Sequence, residues 1–269
     1  MILHYTVIDP TKNITLLVTT PVQRALQAQT AAWLLRREPD AEQVGFLERT
    51  QDGAPRLQMM GGEFCGNATM GLGAWLCRRD RLPHGVTHDF ALEISGAAAP
   101  VPCAVTPVAH GYLATVEMPL PEKVEVRSFS APQGDSVLTA VFLPGICHII
   151  APKESIDRAQ AEDLLRSWSA SLPGAAVGLI LLDEERTAIE ALVYVKPTDT
   201  AVWERGCGSG SAAAACYLTA KRGAAQCLSI RQPGGTIAAV TDWNGERVTA
   251  LHITGSIALL GEKTADVVF

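Results

Sequence analysis

Four absences narrow the possibilities. No apolar run reaches the roughly 18 to 20 residues of a bilayer span, because Pro144 and His148 interrupt one candidate and Pro173 another. Lys and Arg (22) are fewer than Asp and Glu (28), and a net charge of −6 argues against nucleic acid or an anionic membrane as the main partner. The seven cysteines are odd in number and show no CxxC spacing, so they form neither a disulfide framework nor a zinc-finger pattern. The opening residues Met1-Ile2-Leu3-His4-Tyr5 have neither the basic region nor the small-residue cleavage site of a signal peptide. These features set the expectation of a cytoplasmic protein with reduced thiols and a small-molecule ligand.

What the chain does have is a pair of related motifs. Phe64-Cys65-Gly66-Asn67-Ala68 and Gly206-Cys207-Gly208-Ser209-Gly210 each run into a stretch of small residues that reads as a helix. With Cys65 laid on Cys207, Gly66 meets Gly208, Trp75 meets Tyr217, Leu76 meets Leu218 and Arg79 meets Lys221. The chain reads as a diverged duplication with one helix-start thiol in each half.

The remaining patterns fit that division. Val7-Ile8 and Ile14–Val18 predict a hairpin around Asp9–Asn13. Helical spacing predicts a helix over Pro21–Arg37, and the second half repeats the order with one over roughly Glu154–Ser169. The central helices are expected over Ala68–Arg79 and about Ser211–Arg222. Pro119-Leu120-Pro121 marks the domain change, giving lobes of residues 1–120 and 121–255, with a last strand near 256–269 returning to the first. The fold class is α+β, with sheet wrapped around one helix in each lobe.

A helix start offers unpaired N–H groups and the positive end of the macrodipole. A cysteine there is expected to have its thiolate favoured, and the following Gly-Asn-Ala or Gly-Ser-Gly leaves N–H groups open to a carboxylate. Two such thiols on opposite sides of one α-carbon would invert it: one thiolate takes the proton and the other thiol returns one to the opposite face. This chemistry requires neither pyridoxal phosphate nor a metal.

At these residues the chain resembles the diaminopimelate epimerase family of cofactor-independent amino-acid racemases and epimerases. Lys12-Asn13-Ile14-Thr15, Cys65-Gly66-Asn67-Ala68, Gly145-Ile146-Cys147-His148, Glu204-Arg205-Gly206 with Cys207-Gly208-Ser209-Gly210, and Ile253-Thr254-Gly255-Ser256 match its motifs in order. The resemblance implies two pseudo-symmetric lobes, each a β-barrel-like sheet around a helix, and no cofactor. It implies Cys65 and Cys207 as the acid/base pair, and Asn13, Gly66, Asn67, Glu204, Arg205, Gly208 and Ser209 as substrate contacts. Glu204 would take the α-ammonium. Gln58 falls near the expected side-chain pocket, and His148 reads equally as a substrate contact or a buried structural histidine. A homodimer is common in the family.

Two departures bear on the substrate. Asparagines that grip the distal end of diaminopimelate are replaced by Ile146 and by a residue near Glu190 or Ala191. Together with Gly-Gly-Glu-Phe-Cys-Gly-Asn-Ala, this resembles the histidine racemases that feed opine-type metallophore synthesis. The competing readings are a diaminopimelate epimerase, a phenazine-biosynthesis-type isomerase using a carboxylate, and a catalytically silent amino-acid-binding protein.

Other features carry the blander reading. Cys77, Cys103, Cys216 and Cys227 are expected to pack in the core. Gly208-Ser-Gly-Ser-Ala-Ala213 forms a weak nucleotide-binding string without the acidic residue it needs downstream. His84 and His88, flanking Gly85, read as a solvated turn rather than a metal site.

Overall fold

The computed structural model describes residues 1–132 and 134–267. The chain divides into two compact units: Met1–Glu117 together with the last segment from Thr254 on, and Met118–Ile253.

In the first unit the elements are β1 (Ile2–Pro10), β2 (Thr15–Val18), α1 (Arg24–Arg37), β3 (Gln43–Arg49), β4 (Pro55–Met59), α2 (Gly66–Arg79), β5 (His88–Ile94), β6 (Val101–Val108) and β7 (Gly111–Glu117). The second unit contains β8 (Lys123–Phe129), β9 (Ser136–Leu143), β10 (Ile146–Pro152), α3 (Arg158–Ser169), β11 (Ala176–Asp183), β12 (Ala188–Val195), β13 (Thr200–Glu204), α4 (Gly208–Arg222), β14 (Gln226–Gln232) and β15 (Gly235–Trp243). The last strand, β16 (Val248–Asp266), begins in the second unit and ends in the first.

The strands of the first unit follow the order β1-β2-β3-β4-β5-β6-β7-β16, and β1 pairs again with β16, closing an eight-stranded barrel. Helix α2 packs on β1, β2, β5, β6 and β7, and its side chains are buried around almost the whole circumference. That burial demands small residues. A β-carbon on Gly73 would lie 2.7 Å from Val105 Cγ2, and one on Gly71 3.1 Å from Ile8 Cγ2. Helix α1 covers the opposite face of the sheet, where Leu34 packs among Leu3, Leu16, Val44 and Phe46.

In the second unit the order is β8-β9-β10-β11-β12-β14-β15-β16, with β13 paired to β12. Helix α4, with Ala212 to Ala215 fully buried, packs on β9, β10, β11, β14 and β15. Helix α3 covers the other face through Leu164, Leu165 and Trp168. The senses of pairing match the first unit: β2–β3 and β4–β5 are parallel, as are β10–β11 and β12–β14, and each parallel pair is bridged by a helix.

Helix boundaries differ from the sequence reading where local chemistry decides them. The first helix begins at Arg24, three residues after Pro21. The stretch expected as one helix from Glu154 is a single 3-10 turn, Lys153–Ser155, followed by α3. Asp157 separates them by accepting a capping bond from Ala159 N at 3.0 Å. Among the described residues no helix is long and apolar enough to cross a membrane.

Candidate active site

Each motif cysteine is the N-cap of a buried helix, in extended backbone conformation (φ −135°, ψ 110° at Cys65; φ −94°, ψ 108° at Cys207). In both, the sulfur takes the place of the usual capping oxygen. Cys65 Sγ accepts from Ala68 N at 3.4 Å, and Cys207 Sγ from Gly210 N at 3.2 Å. Thr69 and Ser211 donate their hydroxyls to the two cysteine carbonyls at 2.7 and 2.8 Å, which fixes each cap from its other side.

Around Cys65 lies a set of amides. Cys65 Sγ donates to Gln43 Oε1 at 3.2 Å, and Gln43 Nε2 donates to Asn13 Oδ1 at 2.5 Å and Thr15 Oγ1 at 3.0 Å. Asn67 Nδ2 also donates to Asn13 Oδ1, at 2.9 Å, while Asn13 Nδ2 donates to a Glu42 carboxylate oxygen. Asn13 follows a hairpin turn in which Thr11 and Lys12 have φ of 56° and 65°, a conformation that usually selects Asn or Gly. Asp9 holds this turn by accepting from both Lys12 N and Lys12 Nζ at 2.6 Å.

Gln58 sits elsewhere. It pairs with Phe46, a residue of the α1 core, and so shares the α1 side of the sheet. Its Nε2 donates to Met59 O and its Oε1 accepts from Arg56, and no described bond joins it to Cys65.

Around Cys207 the neighbours are Ser209, His148, Gln232 and Glu204. Ser209 Oγ lies 3.6 Å from Cys207 Sγ and 2.9 Å from His148 Nε2, so the serine stands between thiol and imidazole. Gln232 accepts from Cys207 N at 2.6 Å and donates to Ser211 Oγ at 2.8 Å. His148 is fully buried, and the burial pushes its pKa down to about 3; Nδ1 has no hydrogen-bond partner. The ring is therefore neutral over the ordinary pH range.

The expectation of a thiolate favoured by the helix start is corrected at Cys207. Burial pushes this thiol well above its ordinary range, and the negative charge of Glu204 adds to the effect, against the smaller opposing pull of Ser209 and Gly210 N–H. Desolvation of the anion outweighs the dipole here.

Glu204 lies opposite Ala191 in the β12–β13 pairing. Glu190, one residue away, points to the other face and is held by Lys153 at 3.0 Å and by Arg158. Ala191 is thus the residue that shares a face with Glu204. Ile146 has the same strand parity as His148, so it lies on the α4 side too. Arg205 is half-buried, and its carbonyl accepts from Gly234 N at 2.6 Å.

Cys77, Cys103 and Cys216 are buried as expected, with pKa pushed up to about 11, 12 and 12 by burial. Cys227 is exposed, contrary to expectation, because it falls on the outward phase of β14. Among the described residues no cluster of three metal-binding side chains is present. The sequence reading missed Gln43, Glu42 and Gln232. Only strand register could have found Gln43, since β2 and β3 pair in parallel with Thr15 opposite it.

The model of the histidine racemase CntK N-terminal domain matches residues 2–265. A histidine racemase of Staphylococcus aureus is 29% identical over 246 residues, covering 88% of this chain and 87% of that protein. One from Fusobacterium nucleatum is 26% identical over 268 residues, covering 97% and 96%. Among solved structures, the chain is similar in fold to a hydroxyproline epimerase from Agrobacterium vitis with bound trans-4-hydroxy-L-proline. The TM-score is 0.71 at 14% identity, covering 98% of this chain and 91% of that one.

Proposed function

The chain belongs to the histidine racemase family and is an isomerase of the amino-acid racemase and epimerase class, and on that premise we propose that it racemises histidine with two thiols and no cofactor. The observation that carries this reading is that both motif cysteines cap buried helices with a backbone N–H donated to sulfur. The repeated strand and helix order of the two units supports a diverged duplication that supplies one such thiol from each lobe.

Cys65 and Cys207 act on the two faces of one α-carbon. One sulfur, as thiolate, removes the α-proton; the other, as thiol, donates its proton to the opposite face, and the two exchange roles. The carbanion between these steps spreads its charge onto the substrate carboxylate. The N–H groups at Gly66, Asn67, Gly208 and Ser209 hold that carboxylate, where each helix dipole favours negative charge.

Glu204 binds the α-ammonium. In the free protein its charge opposes the Cys207 thiolate. A bound ammonium offsets that charge, so substrate binding removes one of the two causes that hold Cys207 as the thiol.

Ile146 and Ala191 offer no polar group to a second amino-acid end. A buried ammonium or carboxylate left without partners there would cost about 1 to 3 kcal/mol or more, which disfavours diaminopimelate. A D-histidine product fits supply to metallophore synthesis in the cytoplasm. The test is incubation of L-histidine and a panel of other L-amino acids with the protein in D2O. Histidine should gain α-deuterium and convert to the D-isomer; exchange of another amino acid with histidine inert would overturn the substrate but leave the reaction class intact.

A further inference from the structure

We propose that Glu42, Asn13 and Gln43 form a relay that fixes the protonation state of Cys65, holding it as the thiol and hence as the proton donor of the resting enzyme. The relay rests on the racemase reading above for its purpose, though its geometry stands without it.

An ionised carboxylate can only accept, so Glu42 dictates which end of the Asn13 amide faces it. Asn13 Nδ2 donates to Glu42, and Asn13 Oδ1 is thereby turned toward Gln43 and Asn67. Two N–H donors meet that oxygen. Gln43 must therefore present Nε2 to Asn13, a choice reinforced by Thr15 Oγ1 at 3.0 Å, and Oε1 is left facing Cys65 Sγ at 3.2 Å. A carbonyl oxygen has no proton to give. At that distance it accepts from S–H and repels a thiolate.

The consequence is an asymmetry between the two thiols. Cys207 Sγ has the Gly210 N–H and the Ser209 hydroxyl as donors and, as its acceptor, the Glu204 carboxylate, a charge that a bound ammonium can offset. Cys65 has the Ala68 N–H on one side and an acceptor locked in place on the other. When Cys65 gives its proton to the carbanion, the new thiolate faces the Gln43 oxygen and is driven to regain a proton. Gln43 acts through Cys65 and is a positioning residue.

The experiment is pulse labelling of the full-length protein with iodoacetamide from about pH 6 to about pH 10, which reads the thiolate fraction. Peptide mass spectrometry then gives the labelling midpoint of Cys65, with exposed Cys227 as an internal reference. Gln43→Ala keeps the charge of Glu42 but removes the acceptor, and it should lower the Cys65 midpoint by about one pH unit or more with Cys227 unchanged. Glu42→Gln frees the Asn13 amide to reverse and should lower it as well. A midpoint that stays or rises in Gln43→Ala overturns the relay, and a shift confined to Glu42→Gln reduces it to a simple charge effect. No substrate is needed, so failure of the histidine assignment would leave this result standing.

Discussion

Gly178 stands beside His148 in the parallel β10–β11 pairing, and a β-carbon on Gly178 would lie 2.1 Å from His148 Nδ1 and 2.6 Å from Cε1. The imidazole occupies the place where any other residue would put its side chain. Gly178→Ala is therefore expected to destabilise the protein by about 1 to 3 kcal/mol through overpacking. The displaced ring would also lose its 2.9 Å link to Ser209. Urea denaturation measures the first effect and D2O exchange of histidine the second. Unchanged values for both would mean that the ring does not need that space.

The neutral state of His148 gives a pH dependence of known sign. Its pKa is about 3 in the folded protein against 6.5 for the ordinary group, so between those values the unfolded chain binds more protons. The contribution is fully present above pH 6.5 and is lost as pH falls toward 3, at about 1.4 kcal/mol per pH unit. Denaturation at several pH values within that window should show a shallower slope for His148→Gln than for the native chain. Equal slopes would place the imidazole in a solvated environment.

The parts of the site that were legible in the sequence are those set by local chemistry. A cysteine followed by Gly and small residues announces a helix cap, and both caps form where the motifs stand. The hairpin around Asp9–Asn13 was legible for the same reason. What was not legible depends on which strands become neighbours. Gln43 reaches Cys65 because β3 lies beside β2, and Gln232 reaches Cys207 N from β14, 25 residues further on. The choice between Glu190 and Ala191 was likewise a question of register. Desolvation of Cys207 was hidden too, since burial is a property of the packed chain.

Two-base chemistry predicts a specific residue of activity when one thiol is removed. Cys65→Ser and Cys207→Ser should each lower racemisation by about 10²-fold or more, the range of a lost acid/base group. Each variant keeps one working sulfur. Cys65→Ser should still exchange the α-proton of one histidine enantiomer without inverting it, and Cys207→Ser that of the other. NMR of each pure enantiomer in D2O makes the comparison. Exchange of both enantiomers by a single variant would point to one base serving both faces.

The observed charge effect of Glu204 on Cys207 and its proposed grip on the substrate have opposite consequences, which makes Glu204→Gln informative. Its charge raises the Cys207 thiol, so its removal should move the alkaline-rising limb of kcat/KM to lower pH. Its proposed grip on the α-ammonium is a charge-assisted hydrogen bond worth about 1.5 to 3 kcal/mol, so its loss should raise KM by about tenfold or more at any pH. A residue that only shaped the loop before Cys207 would change kcat and KM together and leave the limb where it was. The joint outcome, an acid-shifted limb with a raised KM, identifies the carboxylate as the group that links substrate binding to the readiness of the thiol. A KM unchanged in Glu204→Gln would assign the ammonium to another partner.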